Sequence, residues 1–156
     1  MSLPPFQAVL DSHGDAVYRF LAAALGQADA DDCFQETWIA ALRAYPRLRS
    51  ADNLRGWVLR IAQRKMIDFR RTRRRAPLPV ESVPERAVPE AEADGRDPRL
   101  WEAVRRLPPK QRTAVFCRSV LGMPYPELAS VLESSEEAAR RNVHEGLKRL
   151  GEEWTT

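Results

Sequence analysis

The stretch from Asn53 to Arg75, NLRGWVLRIAQRKMIDFRRTRRR, constrains the chain more than any other. It holds nine Lys or Arg against one acid, Asp68, with apolar residues set among the bases. Leu54, Trp57, Val58 and Ile61 follow the i, i+3, i+4, i+7 spacing of one buried helix face. At about 100° per residue, Arg60, Arg64 and Arg71 fall together on a flank away from that face. One helix can therefore bury a tryptophan side and offer a cationic strip. Arg70, Arg71, Arg73, Arg74 and Arg75 crowd its end. Clustered cations of this kind suit a polyanion such as a nucleic-acid backbone. Taken by itself, the run also fits a solvated helix whose last-turn arginines complement its dipole.

Charge is unevenly spread along the 156 residues. Residues 1–75 carry 13 bases and 8 acids, residues 76–98 carry 2 and 6, and residues 99–156 carry 10 and 8. Two basic units joined by an acidic connector point to a polyanion partner more strongly than the net charge of +3 does. The connector, APLPVESVPERAVPEAEADGRDP, has five prolines and no aromatic residue, which reads as a linker between two small domains. Each domain would bury only a modest core, so partners are expected to contribute to stability. Cys33 and Cys117 lie in different halves, without a CxxC or Cys/His cluster. Neither a disulfide scaffold nor a zinc site is expected, and both cysteines read as small core residues. The N-terminal MSLPPFQAVLDSHGD lacks the basic and apolar regions of a signal peptide, and no run of about 18 apolar residues would span a membrane. A reduced, cytoplasmic setting follows.

The architecture expected is all-α. A first helix runs from about Pro5 to Ala24, with Gly26 as its stop and Gly14 as a bend. A second runs from about Asp29 to Tyr45, ended by Pro46, with Ala30, Phe34, Trp38, Ala41, Leu42 and Tyr45 on its inner side. Its acids, Asp29, Asp31, Asp32 and Glu36, complement the helix dipole. Asp32, Gln35, Glu36 and Ile39 also share an outward face that suits docking. Ser50, Asp52 and Asn53 are candidate caps for the cationic helix. These three helices form a bundle over residues 1–75. Residues 99–156 read as four helices: Leu100–Leu107, Gln111–Leu121, Tyr125–Leu132, and a last one capped by Ser134 with Glu137. In that last helix Ala139, Val143, Leu147 and Leu150 form a buried line. Arg141, His144 and Lys148 project away from this line, with Arg140 at its edge. A tight turn before a basic helix is the outline of a helix-turn-helix.

In order along the chain, ADADDCFQETWIAALRAY, NLRGWVLRIAQRKMIDFRR and LPPKQRTAVFCRSVLGMPYPELASVL with its basic helix resemble bacterial sigma-70 family factors. The match is to the compact extracytoplasmic-function group, which keeps regions 2 and 4. The resemblance implies a domain over 1–75, a linker over 76–98 and a helix-turn-helix domain over 99–156. It implies that Asp31, Asp32, Gln35, Glu36 and Ile39, in the DAED…QE helix, grip core RNA polymerase. It places Asn53, Arg55, Arg60, Arg64, Lys65 and Arg71 at the −10 promoter element, where a loop from Arg47 captures an unstacked base. It places Arg140, Arg141, His144 and Lys148 at the −35 element. Promoter DNA and core polymerase are the implied partners, with an anti-sigma factor common in the group.

Departures from the family pattern concentrate in the second half. The family's GTVKSRLHRAR reads EAARRNVHEGL from Glu137 to Leu147, and Glu145 stands at a basic position. Glu133 stands at the glycine of the turn, where positive φ costs a non-glycine residue about 1 kcal/mol. No phosphate loop, HExxH or nucleophile triad is present, so a factor that binds rather than catalyses is expected, with no cofactor and no metal. Two other readings remain: a helix-turn-helix regulator independent of polymerase, and a helical adaptor that touches no nucleic acid.

Overall fold

The computed structural model describes residues 3–75 and 98–155. They form seven α-helices and no strand: α1 Phe6–Leu25, α2 Gln27–Ala44, α3 Leu54–Arg75, α4 Pro98–Arg106, α5 Pro109–Ser119, α6 Tyr125–Leu132 and α7 Glu136–Thr155. Of the acidic connector expected over residues 76–98, residues 76–97 lie outside the described residues, and Pro98 is instead the first residue of α4.

Helices α1 and α2 meet at a single joint. Gly26 takes φ 86°, donates its N–H to Ala22 O at 2.9 Å, and accepts from Ala30 N–H at 2.9 Å. A side chain is strained at that φ, so glycine is what lets the chain reverse there. Gly14 marks no break: it is buried within a continuous α1. After α2 the chain tightens into a 3₁₀ turn, Tyr45–Arg47, with Pro46 inside it. Phe6 packs edge-on to Trp38 and Tyr45, with centroids 5.8 and 5.2 Å away, and the Tyr45 hydroxyl donates to Pro4 O. Of the three candidate caps for α3, Asn53 serves: its Oδ1 accepts the Gly56 N–H at 3.1 Å. A Cβ on Gly56 would fall 2.4 Å from Asn53 Nδ2, so the cap and the glycine require each other.

Three details depart from the expected helix faces. On α3 the most buried residues are Val58, Leu59, Ala62, Gln63 and Met66, while Leu54, Trp57 and Ile61 are only partly buried. The helix is covered on two sides, by α1 and α2 and by α6, so its core stripe is wider than one face and shifted. On α7 Leu147 is 48% exposed and Gly146 is buried instead. Positions 139, 143, 146 and 150 follow the helical repeat better than 147, and α5 comes so close that a Cβ on Gly146 would lie 2.5 Å from Val115 Cγ2. The α7 cap is Ser135, whose Oγ accepts the Ala138 N–H at 3.0 Å, not Ser134, whose hydroxyl donates to Ser135 O.

Glu133 ends α6 at φ 55°, ψ 48°, the one non-glycine residue at positive φ among those described. The turn is of Schellman type: Ser134 N–H reaches Ala129 O at 2.9 Å and Glu133 N–H reaches Ser130 O at 3.2 Å.

The two bundles share one buried cluster, from Val17, Phe20 and Met66 to Phe116, Leu128 and Val143. Phe20 and Phe116 meet at 5.7 Å between centroids. Each modest core thus has the other as its stabilising neighbour. Polar links close the seam. Arg112, fully buried, donates to Ala24 O at 3.0 Å, Leu107 O at 2.9 Å and Arg105 O. Arg105 reaches Ala23 O at 3.3 Å and Ala22 O at 3.5 Å. Two guanidinium groups therefore cap the negative end of the α1 dipole. Thr113 Oγ1 donates to Gln63 Oε1 across the same seam.

Candidate nucleic-acid interface

Three surfaces carry the chemistry singled out in the sequence. The first is the outer side of α2. Asp31, Asp32, Gln35, Glu36 and Ile39 are all exposed there, Ile39 by 49%. Asp31 accepts a hydrogen bond from the Tyr18 hydroxyl at 2.9 Å. Leu42, expected on the inner side, is 55% exposed and falls beside Gln35 in helical projection, on the side away from Ile39. The periodicity held that signal: 42 is three residues past 39 and seven past 35. The result is a carboxylate rim around two aliphatic side chains, a pattern that favours a protein partner with a basic border.

The second surface is α3. Lys65 and Arg60 are partly exposed, and Arg64 and Arg71 are exposed. Asn53 is occupied as the helix cap. Arg55 and Arg64 are both engaged by α6. Arg55 forms a two-pronged pair with Glu127, with Nε–Oε2 and Nη2–Oε1 both at 2.8 Å. Arg64 does the same with Glu133, with Nε–Oε2 at 2.8 Å. Planar guanidinium groups hold carboxylates this way, and they hold phosphate oxygens with the same fork. Hydrogen bonding raises the pKa of both arginines, and Arg64 lowers that of the Glu133 carboxyl. Nothing along the sequence announces these two pairs, because the partners lie 72 and 69 residues apart.

His13, on α1, stands near the Arg55–Glu127 pair. Burial first, and the Arg55 charge second, lower its pKa. The neutral imidazole is favoured in the fold. Its contribution is therefore present above the ordinary imidazole range and lost as pH falls. Glu133 behaves similarly at lower pH: its pairing persists above the usual carboxylate range and is lost as pH falls through its depressed value. Thermal melts should thus show stability declining from about pH 7.5 to about pH 5, and His13→Gln should flatten that decline.

The third surface is α7. Arg140, Arg141, His144 and Lys148 are exposed, with Glu137 and Glu145 among them. Arg140 lies 4.4 Å over the Tyr125 ring, whose centroid is 4.1 Å from Arg118 Cζ, and pairs with Glu136 at 3.9 Å. Gln111 Nε2 donates to Glu145 at 3.3 Å, drawing that carboxylate toward α5. Cys33 and Cys117 are buried, and burial pushes both thiols up to about 12. Among the described residues no group of His, Cys, Asp and Glu is arranged to hold a metal, and no helix is long and apolar enough to cross a membrane.

Known proteins share this layout. Residues 9–76 match the model of sigma-70 region 2, and residues 98–150 match that of sigma-70 region 4. The chain is 33% identical to the ECF RNA polymerase sigma factor SigD of Mycobacterium tuberculosis, over 93% of this chain and 74% of that protein. It is 29% identical to the ECF RNA polymerase sigma factor SigE of Mycolicibacterium smegmatis, over 96% of this chain but 61% of that protein's length. In fold it is similar to CnrH in complex with the cytosolic domain of CnrY, with TM-score 0.73, 23% identity, and 96% and 87% of the two chains covered. It is equally similar to the sigma factor RpoE of Bartonella quintana in complex with the anti-sigma factor NepR, with TM-score 0.73, 19% identity and 94% of each chain covered. With both regions in order and a third of its residues shared with SigD, the chain belongs to the extracytoplasmic-function group of sigma-70 family RNA polymerase sigma factors.

Proposed function

We propose that the three surfaces divide the work of promoter-specific initiation. The outer face of α2 docks on core RNA polymerase through Asp31, Asp32, Gln35, Glu36 and Ile39, with Leu42 added. The cations of α3, Arg55, Arg60, Arg64, Lys65 and Arg71, hold the −10 region and its melted strand. Arg140, Arg141, His144 and Lys148 of α7 enter the −35 major groove. The observation that carries this reading is the pairing, on adjacent helices, of an acidic–aliphatic face with a cationic strip. One can grip a protein while the other faces a polyanion. The chain acts by binding, and polymerase supplies the chemistry. It works in the cytoplasm, at the nucleoid. An anti-sigma factor such as the one bound to the Bartonella protein is a further expected partner.

Glu137 and Glu145 interrupt the α7 cations, whereas α3 between Leu54 and Met66 has no acid at all. Coulomb repulsion from phosphate therefore ranks α3 as the main DNA-binding helix. Replacing Arg60 and Lys65 with Ala is expected to reduce the salt slope of DNA binding. The reduction is about 0.9 on duplex, and about 0.7 on a single strand, for each phosphate that is no longer neutralised. Permanganate reactivity of promoter thymines should disappear in the assembled holoenzyme. Normal reactivity in that variant would assign opening to other residues.

A further inference from the structure

Three acids of α7 stand in three different states. Glu136 pairs with Arg140 at 3.9 Å, and Glu145 accepts from Gln111 Nε2 at 3.3 Å. Glu137 is exposed and has no hydrogen bond or ion pair among the described residues. Arg141 stands four residues on, where a Glu–Arg pair would support a helix, yet the two are not paired. The ordinary tasks of an acid in a first turn are filled by neighbours. Ser135 Oγ accepts the Ala138 N–H at 3.0 Å, and Glu136 stands at the positive end of the dipole. Glu137, Arg141, His144 and Lys148 follow the i, i+4, i+7, i+11 repeat, so the free acid is the first member of the outward stripe, and all four are exposed. Glu145 projects off that stripe, on the side that Gln111 holds.

A carboxylate among cations weakens every contact with phosphate. It suits base edges, and one base in particular. In the major groove guanine and thymine present acceptors, adenine a donor beside the acceptor N7, and cytosine its N4 amino donor alone. A carboxylate only accepts, so cytosine is the one base whose edge holds nothing opposed to it. In a helix-turn-helix the N-terminal residues of the second helix reach base edges, and Glu137 lies in the first turn of α7. We propose that Glu137 is a base-reading residue that selects cytosine in the −35 element, with Arg141 reading a guanine about two base pairs away. This rests on α7 entering the −35 major groove, as proposed above. The spacing compares four residues of helix rise, about 6 Å, with about 3.4 Å per base pair. Arg141 is exposed and unpaired among the described residues, and its guanidinium matches guanine O6 and N7. Glu137 thus lowers affinity for every duplex and restores it only where a cytosine amino group stands opposite.

The test is sequence selection by holoenzyme. Core polymerase is reconstituted with the wild type, Glu137→Ala, Glu137→Gln or Arg141→Ala. Duplexes randomised across the −35 element, upstream of one fixed −10 element, are selected and sequenced. The wild type should enrich a cytosine at one position and a guanine about two pairs away. Glu137→Gln keeps the shape of the side chain and should move the first preference to adenine, whose N6 and N7 a carboxamide meets together. Glu137→Ala should lose discrimination at that position alone, by about fivefold or more, and should bind duplexes lacking that cytosine more tightly than the wild type does. Arg141→Ala should relax the guanine position and leave the cytosine preference in place. Circular dichroism should show unchanged helicity throughout, since both side chains are exposed. A cytosine preference unchanged in both Glu137 variants, or a rise in affinity equal for all duplexes, would overturn the assignment of Glu137, while a guanine preference that Arg141→Ala relaxes would still mark α7 as the reader. No enrichment at any −35 position by the wild type, with transcription from the fixed −10 element intact, would instead overturn α7 as the −35 reader and this assignment with it.

Discussion

Replacing Asp32 and Glu36 with lysine is expected to abolish holoenzyme formation while leaving the helical circular dichroism spectrum unchanged. The two residues lie one turn apart on the outer side of α2, both exposed, and neither is part of the buried cluster. The double change reverses both charges at a surface whose apolar centre, Ile39 and Leu42, is small. Charge complementarity must therefore supply much of the specificity there, and like-charge contact across an interface costs several kcal/mol. Affinity for core polymerase should fall by at least about 100-fold, corresponding to about 2.7 kcal/mol. A pull-down at several salt concentrations separates this from misfolding, because a screened electrostatic loss shrinks as salt rises. Wild-type holoenzyme affinity in the variant would remove α2 from the polymerase interface. Ile39→Ser with Leu42→Ser should weaken the same interaction less steeply and without salt dependence.

The second large effect is expected at Arg112. Its guanidinium ties the C-terminal carbonyl of α1 to the α4–α5 turn and is sealed from solvent. Arg112→Ala strips partners from the Ala24, Arg105 and Leu107 carbonyls and leaves a cavity beside Met66. Such a loss is expected to destabilise the chain by about 3 kcal/mol. For a domain of this size that lowers Tm by about 6–12 °C. Arg112→Lys should recover little, since an ammonium group cannot present a planar fork to three carbonyls. Differential scanning calorimetry checks the magnitude. A variant that melts within about 2 °C of wild type would show that the seam contributes little to stability in solution.

The local order of the fold is legible in the chain because local rules decide it. Pro124 and Pro126 bracket the start of α6, and the sequence bounds Tyr125–Leu132 agree with the helix observed. Gly26 and Gly122 carry the positive φ that their turns require. Glu133 at a glycine position is visible as a departure, and its left-handed backbone follows. What periodicity misplaces are residues whose helix is covered from two sides, or whose neighbour comes unusually close. Leu147 gives way to Gly146 because α5 leaves no room for a side chain there. Leu42 reads as core only if every apolar residue must face inward, and it does not. Arg112 shares a helical face with Val115 and Phe116, which marks it as a candidate for burial. Its acceptor on α1 is 88 residues away, however, and no pattern along the chain reports that. The candidate cations of α3 are legible as a strip, but their engagement by Glu127 and Glu133 is a tertiary fact.

The assignment of promoter work to α2, α3 and α7 meets its most direct test in transcription by purified core polymerase on a library of promoter sequences, with and without this protein. Transcripts should start at defined positions only when the protein is present, from templates enriched in a shared pair of spaced elements, and none should appear with the Asp32→Lys, Glu36→Lys variant. Templates bound by the protein but never transcribed, with polymerase neither recruited nor redirected, would contradict that assignment.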